Sequence, residues 1–286
     1  MGEPTRVQSL YKELITENAM TDEAIRFVRK SWRGNNQGGV IANIVVVSLL
    51  GLMYAWLMVA MVKWDLTFTL QIEYVQLLAV TLIAPATVYA AISGEREKAT
   101  WDALILTRLS AAQIIAGKLA WRILVLAGVM ALLLLMILVS QTQGRPADHP
   151  TALAVLLGQG LIFAWGVFLT VFGLWISAKT NRSVTSIGVI IGATVGALAM
   201  VPALLAAFEI FGELDNPVTF KDWVGVFTIG VNPFFLLGSV TESSRRIGAS
   251  LVQSPAWMLF VIALYLGATG LLVWLSHNTL KRMTAD

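Results

Sequence analysis

The sequence contains no cysteine, which excludes disulfide frameworks, thiolate nucleophiles and sulfur-ligated metals. It is also poor in charge, with 13% Asp, Glu, Lys and Arg, where an ordinary soluble domain carries roughly 25%. Histidine occurs only as His149 and His277, too far apart in the chain to nominate a metal centre. What the chain has instead is apolar: 57% hydrophobic residues and a mean hydropathy of +0.75 over 286 residues. A single core cannot hide that excess. The composition therefore implies an integral membrane protein, because a spanning helix needs roughly 20 apolar residues in a row and several such runs are present.

Six long apolar segments are legible: Val40–Val62, Tyr74–Ser93, Leu119–Val139, Thr151–Ala178, Val184–Phe208 and Ala256–Ser276. Trp32, Trp64, Trp121, Trp175, Trp257 and Trp274 fall near their ends, where amphipathic rings settle at the membrane interface. The net charge of +3 does not point to nucleic acid, because the basic residues gather at the ends of apolar runs rather than in a stripe. Arg6, Lys12, Arg26, Arg29, Lys30, Arg33, Arg96, Lys98, Arg108, Lys118, Arg122, Lys179, Arg182, Lys281 and Arg282 fall on one side. Lys63, Arg145, Lys221, Arg245 and Arg246 fall on the other. That asymmetry puts both termini in the cytoplasm of a multi-pass protein of the cell inner membrane. Trp223–Val240 is also apolar, but Asn232-Pro233 interrupts it and Gly225, Gly230 and Gly238 loosen it. As a seventh crossing it would move the C-terminus outside; a broken or re-entrant outer segment is the expectation, since irregular backbone is tolerated where protein covers it.

The fold class expected is thus an all-α membrane protein with six spans. Residues 1–39 form a cytoplasmic N-terminal segment, 40–276 the six-span domain and 277–286 a cytoplasmic tail. The first 39 residues hold no long apolar stretch, so they are expected to remain in the mature chain. Within them, Val7, Leu10, Leu14 and Ile15 mark an amphipathic helix, and Thr21 caps a second, basic one that suits the membrane surface. A solvated linker helix is the alternative.

The loop after the second span is the most informative stretch. Four successive charges, Glu95, Arg96, Glu97 and Lys98, leave the membrane. Thr100 is a candidate N-cap, and Trp101, Leu104, Ile105 and Leu109 share a helical face. Ser110 and Gln113 have the spacing of a capping box that starts the third span. Lys118 and Arg122 on that span are placed to snorkel toward headgroups. By physics alone, this loop either receives force from a partner or merely lies on the membrane.

The run Gly94-Glu95-Arg96-Glu97-Lys98-Ala99-Thr100 through Leu109-Ser110 to Gly117-Lys118 resembles the permease subunits of ABC transporters in the type-2 exporter class. Ala99 stands where that pattern usually has Gly, and Arg108 where it has Pro. Ser177 to Ser183 is similar to the family's second cytoplasmic turn, and Asn232-Pro233-Phe234 to its outer element. The resemblance implies a homodimer or heterodimer of six-span subunits with a separate ABC ATPase (nucleotide-binding) subunit. ATP and Mg would bind on that partner, none on this chain, which would not itself be an enzyme. It further implies that residues 94–110 form a coupling helix, with Glu95, Arg96, Glu97, Thr100 and Leu104 touching the ATPase and Lys179 and Asn181 following in the second turn.

Other motifs carry less. Gly173 to Thr180 nearly spells a phosphate-binding loop, but it lies at the end of a spanning run where no strand precedes it. Gly188, Gly192 and Gly196 recur every four residues, a spacing that permits close helix approach; packing within the chain is preferred to a dimer seam. Pro85 can kink the second span, and with Thr81 and Thr87 it either lines a path or only bends the helix. No ionisable residue lies at the centre of a proposed span, which speaks against a proton relay. The function expected is the permease of an ATP-driven exporter, with the alternative of a membrane scaffold or sensor that binds an ATPase without moving cargo.

Overall fold

The computed structural model describes residues 37–64, 68–101, 109–143, 150–203, 224, 227–228, 230–243 and 254–283. The expected N-terminal interfacial helices, Leu104 with its neighbours 102–108, and residues 284–286 lie outside the described residues. The helices are α1 (Gln37–Lys63), α2 (Thr69–Val88), α3 (Ser93–Glu97), α4 (Ala111–Ser140), α5 (Ala152–Lys179), α6 (Ser183–Val195), α7 (Pro233–Ser243) and α8 (Pro255–Met283). No strand occurs among the described residues. Five helical stretches are long and apolar enough to cross a membrane: Thr69–Glu97, Ala111–Ser140, Ala152–Lys179, Ser183–Ala203 and Pro255–Met283. The chain is an all-α, multi-pass membrane protein.

Helix ends follow local chemistry. Ser110 accepts from the Gln113 amide at 3.3 Å while the Gln113 side chain accepts from the Ser110 amide at 2.9 Å, so the expected capping box forms. It starts α4 at Ala111, well before the apolar run at Leu119. Thr151 caps α5 through the Ala154 amide at 3.2 Å. α2 begins at Thr69 rather than Tyr74, which brings Glu73 into its second turn.

α5 runs through the middle of the bundle, with α2, α4, α6, α7 and α8 packed around it. Its Leu161, Ile162, Leu169 and Leu174 are fully enclosed, as expected of a helix apolar on all sides. Its glycines permit the close approach. A Cβ on Gly173 would lie 2.2 Å from Val88 Cγ1, and one on Gly166 would lie 2.6 Å from Leu126 Cδ2 and 2.7 Å from Val80 Cγ1. By contrast, a Cβ on Gly188, Gly192 or Gly196 would meet nothing within 4 Å. Among the described residues, no side chain packs against that stripe. A π-turn at Gly196–Met200 follows α6.

At the end of the bundle where α2 starts, the apolar segment around Asn232 is broken as the sequence indicates. Residues 230 and 231 are helical, Asn232 is not, and α7 begins at Pro233. The carbonyls around the break are bonded from outside: Trp257 Nε1 donates to Gly230 O at 2.8 Å, Tyr265 to Val231 O at 2.6 Å, and Tyr74 to Phe234 O at 3.1 Å. Asn232 donates to Leu198 O at 3.0 Å and accepts from the Phe234 amide at 3.0 Å. Interrupted backbone in an apolar bundle requires such partners. Gly230 and Gly238 do not loosen this segment; they leave room for the Trp257 ring and the Tyr74 hydroxyl, respectively.

Candidate functional site

The turn between α2 and α4 is built from three kinds of contact. Apolar residues hold its underside: Ile92 and Trp101 are buried with Ile114, Ile115, Leu174, Ala178 and Leu280. Backbone groups freed where the helix breaks are then satisfied by neighbours. Ser177 of α5 accepts from the Ile92 and Ser93 amides, both at 3.0 Å, and its hydroxyl lies 3.1 Å from that of Ser93. Arg122 Nε donates to Thr87 O at 2.8 Å, where α2 is ending. Arg122 therefore caps α2, because the terminal carbonyls of a helix need donors.

The charges form the third layer. Lys118 pairs with Glu95, the two side chains being 14% and 22% exposed, so this lysine also serves the turn rather than the lipid. Glu95 Oε2 is buried without a hydrogen-bond partner among the described residues. Arg96 donates to Asn181 Oδ1 at 3.2 Å and to the Met283 sulfur, and its guanidinium lies 5.6 Å from the centre of the Trp101 ring. Glu97 accepts from the Ser183 amide at 3.1 Å. Hydrogen bonds from Ser183 hold the Glu97 carboxyl below its usual range, so this contact is present at neutral pH and lost as acid protonates the group. The Thr100 hydroxyl donates to Glu95 O at 3.2 Å.

The structure thus brings Glu95, Arg96, Glu97, Thr100 and Asn181 to one place, joining the two turns that the sequence singled out. Glu95 and Arg96 face inward to their own chain; Glu97, Lys98, Ala99 and Thr100 form the exposed rim. Lys179 stands apart, with its Nζ 4.1 Å from the Trp175 ring centre. Thr81 and Pro85 are buried; the Thr81 hydroxyl donates to Leu77 O at 2.7 Å and accepts from Trp165 Nε1 at 2.9 Å. Thr87 donates to Ala84 O at 2.9 Å. The near-match to a phosphate loop, Gly173 to Thr180, lies along the last turns of α5, where it cannot cradle a nucleotide. No group of three metal-ligating side chains occurs among the described residues.

Ala99 has φ of 54°, in the left-handed region that favours glycine. Ala99→Gly should stabilise the protein by about 0.5–1 kcal/mol, the strain of a left-handed alanine less the entropy of a more flexible unfolded chain. A higher thermal midpoint in detergent checks it; an unchanged or lower one would contradict it.

No known protein family matches the chain, and no curated protein matches it. Two polar features escaped the sequence reading: Ser177 as the cap of the turn, and a buried group around Glu73. Ser177 opens the second turn that the sequence singles out, but nothing there marks its hydroxyl as the partner of the Ile92 and Ser93 amides. Glu73 was hidden by its place just outside the run beginning at Tyr74.

Proposed function

We propose that this chain is the permease subunit of an ATP-driven exporter, coupling ATP hydrolysis on a separate subunit to movement of cargo across the inner membrane. The observation that carries the proposal is the α2–α4 turn: a stiff elbow tied to α4, α5, α6 and α8, with its charged rim exposed. Such an elbow moves with four helices at once, which is what a partner's push requires. Ala99 supports the family resemblance, because the left-handed backbone there calls for the glycine that the family's pattern has.

In this reading α1, 27 residues long, is a sixth span, both termini are cytoplasmic, and α7 belongs to a re-entrant outer segment. Two copies, or this chain and a similar one, surround the cargo path. The ATPase supplies nucleotide and Mg sites. Contact falls to Glu97, Thr100 and the neighbouring Leu104, while Glu95, Arg96 and Asn181 hold the elbow in place. Cargo movement follows if ATP-driven closure binds the two membrane-facing states unequally.

The test is co-purification with a candidate ATPase subunit. Glu97→Lys and Leu104→Asp should each reduce the recovered ATPase at least tenfold while the permease remains folded; full recovery with both variants would overturn the docking role. Reconstituted vesicles then separate transport from scaffolding, since a permease moves cargo when ATP is hydrolysed and a scaffold does not.

A further inference from the structure

Glu73 sits in the second turn of α2 with 1% of its surface exposed. One carboxyl oxygen, Oε1, has no hydrogen-bond partner among the described residues. It lies against the bare backbone of Gly158 on α5: a Cβ there would be 2.8 Å from Oε1 and 3.2 Å from Leu237 Cδ1 of α7. Gln159 lies near enough to interact with the carboxyl. Gln76 and Gln159 otherwise pair with each other, Nε2 to Oε1 at 2.9 Å in both directions, and Gln76 also donates to Met130 O at 3.4 Å.

Charge does not balance it from the described surroundings. On α4, Lys118 and Arg122 belong to the opposite end; on α5 the one charge, Lys179, is at the far terminus; on α8, His277, Lys281 and Arg282 are at the far end as well. Lys63 of α1 is exposed. Tyr74 and Tyr265 give their hydroxyl protons to Phe234 O and Val231 O. The side chain of Glu242 on α7 lies outside the described residues.

A metal cation needs several oxygen ligands around it, and no group of three metal-ligating side chains occurs among the described residues. A proton needs no such set, and it removes the cost of an uncompensated charge in an apolar setting. We propose that Glu73 is a proton-binding site at this end of the bundle. The carboxylate takes one proton from the adjacent water as α2 packs against α5 and α7, and returns it to water when they part. Proton concentration at that membrane face then biases the packing of the broken segment. This goes beyond the exporter reading and needs no ATPase, so the two fail separately.

Infrared spectroscopy of the purified protein tests it. A protonated carboxylic C=O band is expected at neutral pH, absent from Glu73→Gln and retained in Glu95→Gln. Because the packed state would hold one proton more than the unpacked chain, thermal stability should fall as pH rises; Glu73→Gln and Glu73→Met should remove that component of the fall. Absence of the band from folded wild-type protein, or its persistence in Glu73→Gln, would overturn the proposal, as would pH profiles of wild type and Glu73→Met that coincide. If neither variant folds, the wild-type band at neutral pH decides alone.

Discussion

Gly173→Leu should abolish recovery of a folded, monodisperse protein in detergent, while Gly192→Leu leaves a monomer's folding intact. The first residue lies where α5 meets α2, and even its Cβ would be 2.2 Å from Val88 Cγ1. Val88 is β-branched and fully buried, so it has no free rotamer to move into. Overpacking by a few methylenes costs about 1–3 kcal/mol where neighbours can adjust; here the two helices must separate. Gly192 faces open space among the described residues, so leucine there should cost the isolated chain within about 0.5 kcal/mol. A loss of assembly in Gly192→Leu with an unchanged thermal midpoint would therefore report a second copy on that face. Size-exclusion profiles and thermal midpoints measure both, and a folded Gly173→Leu would contradict the packing described.

Removing Glu95 should be the most damaging change among the charges of the turn. Its partner Lys118 is 14% exposed, so Glu95→Ala leaves a mostly enclosed ammonium unpaired. Breaking a buried pair costs about 3–5 kcal/mol, and an exposed one about 0–1 kcal/mol; this half-sheltered pair should cost on the order of 2 kcal/mol. The double variant Glu95→Ala/Lys118→Met should recover much of that loss, because the Lys118 ammonium is no longer stranded and methionine keeps the packing, although Arg122 also loses the Glu95 charge. If the double variant is as unstable as the two single changes added together, the pair is not the source of the effect.

Much of the fold was readable because membrane spans are long and their signal is redundant. The run from Thr151 to Ala178 predicts α5 almost to the residue, and Ser110 with Gln113 announces the start of α4 through a bond that depends only on neighbours in sequence. What could not be read depends on which faces meet. The regular spacing of Gly188, Gly192 and Gly196 looked like a packing seam, yet the tight contacts of α5 use Gly166 and Gly173, seven residues apart on one face. Periodicity identifies small residues on one face of a helix but not the neighbour opposite. Likewise Lys118 and Arg122 had the position of snorkelling side chains. Their actual partners, Glu95 and Thr87, are set by the tertiary contact between α2 and α4.

The candidate site was legible in its residues more than in its wiring. Glu95, Arg96, Glu97, Thr100 and Asn181 all come to the turn, but the sequence assigned the first two to an outside partner. Within the chain they bind Lys118, Asn181 and Met283. A charged triplet on a loop offers no sequence signal that separates a clamp from a docking patch. Glu73 was missed for a related reason: apolar runs were bounded at the nearest polar residue, whereas α2 begins at Thr69.

The natural absence of cysteine permits the most direct measurement of the central claim, that the rim of the α2–α4 turn faces the cell interior, where a nucleotide-hydrolysing partner can reach it. Lys98→Cys introduces a single thiol at an exposed position of that rim. The account predicts that a membrane-impermeant maleimide labels it in inside-out vesicles and not in intact cells. Labelling in intact cells with none in inside-out vesicles would contradict it.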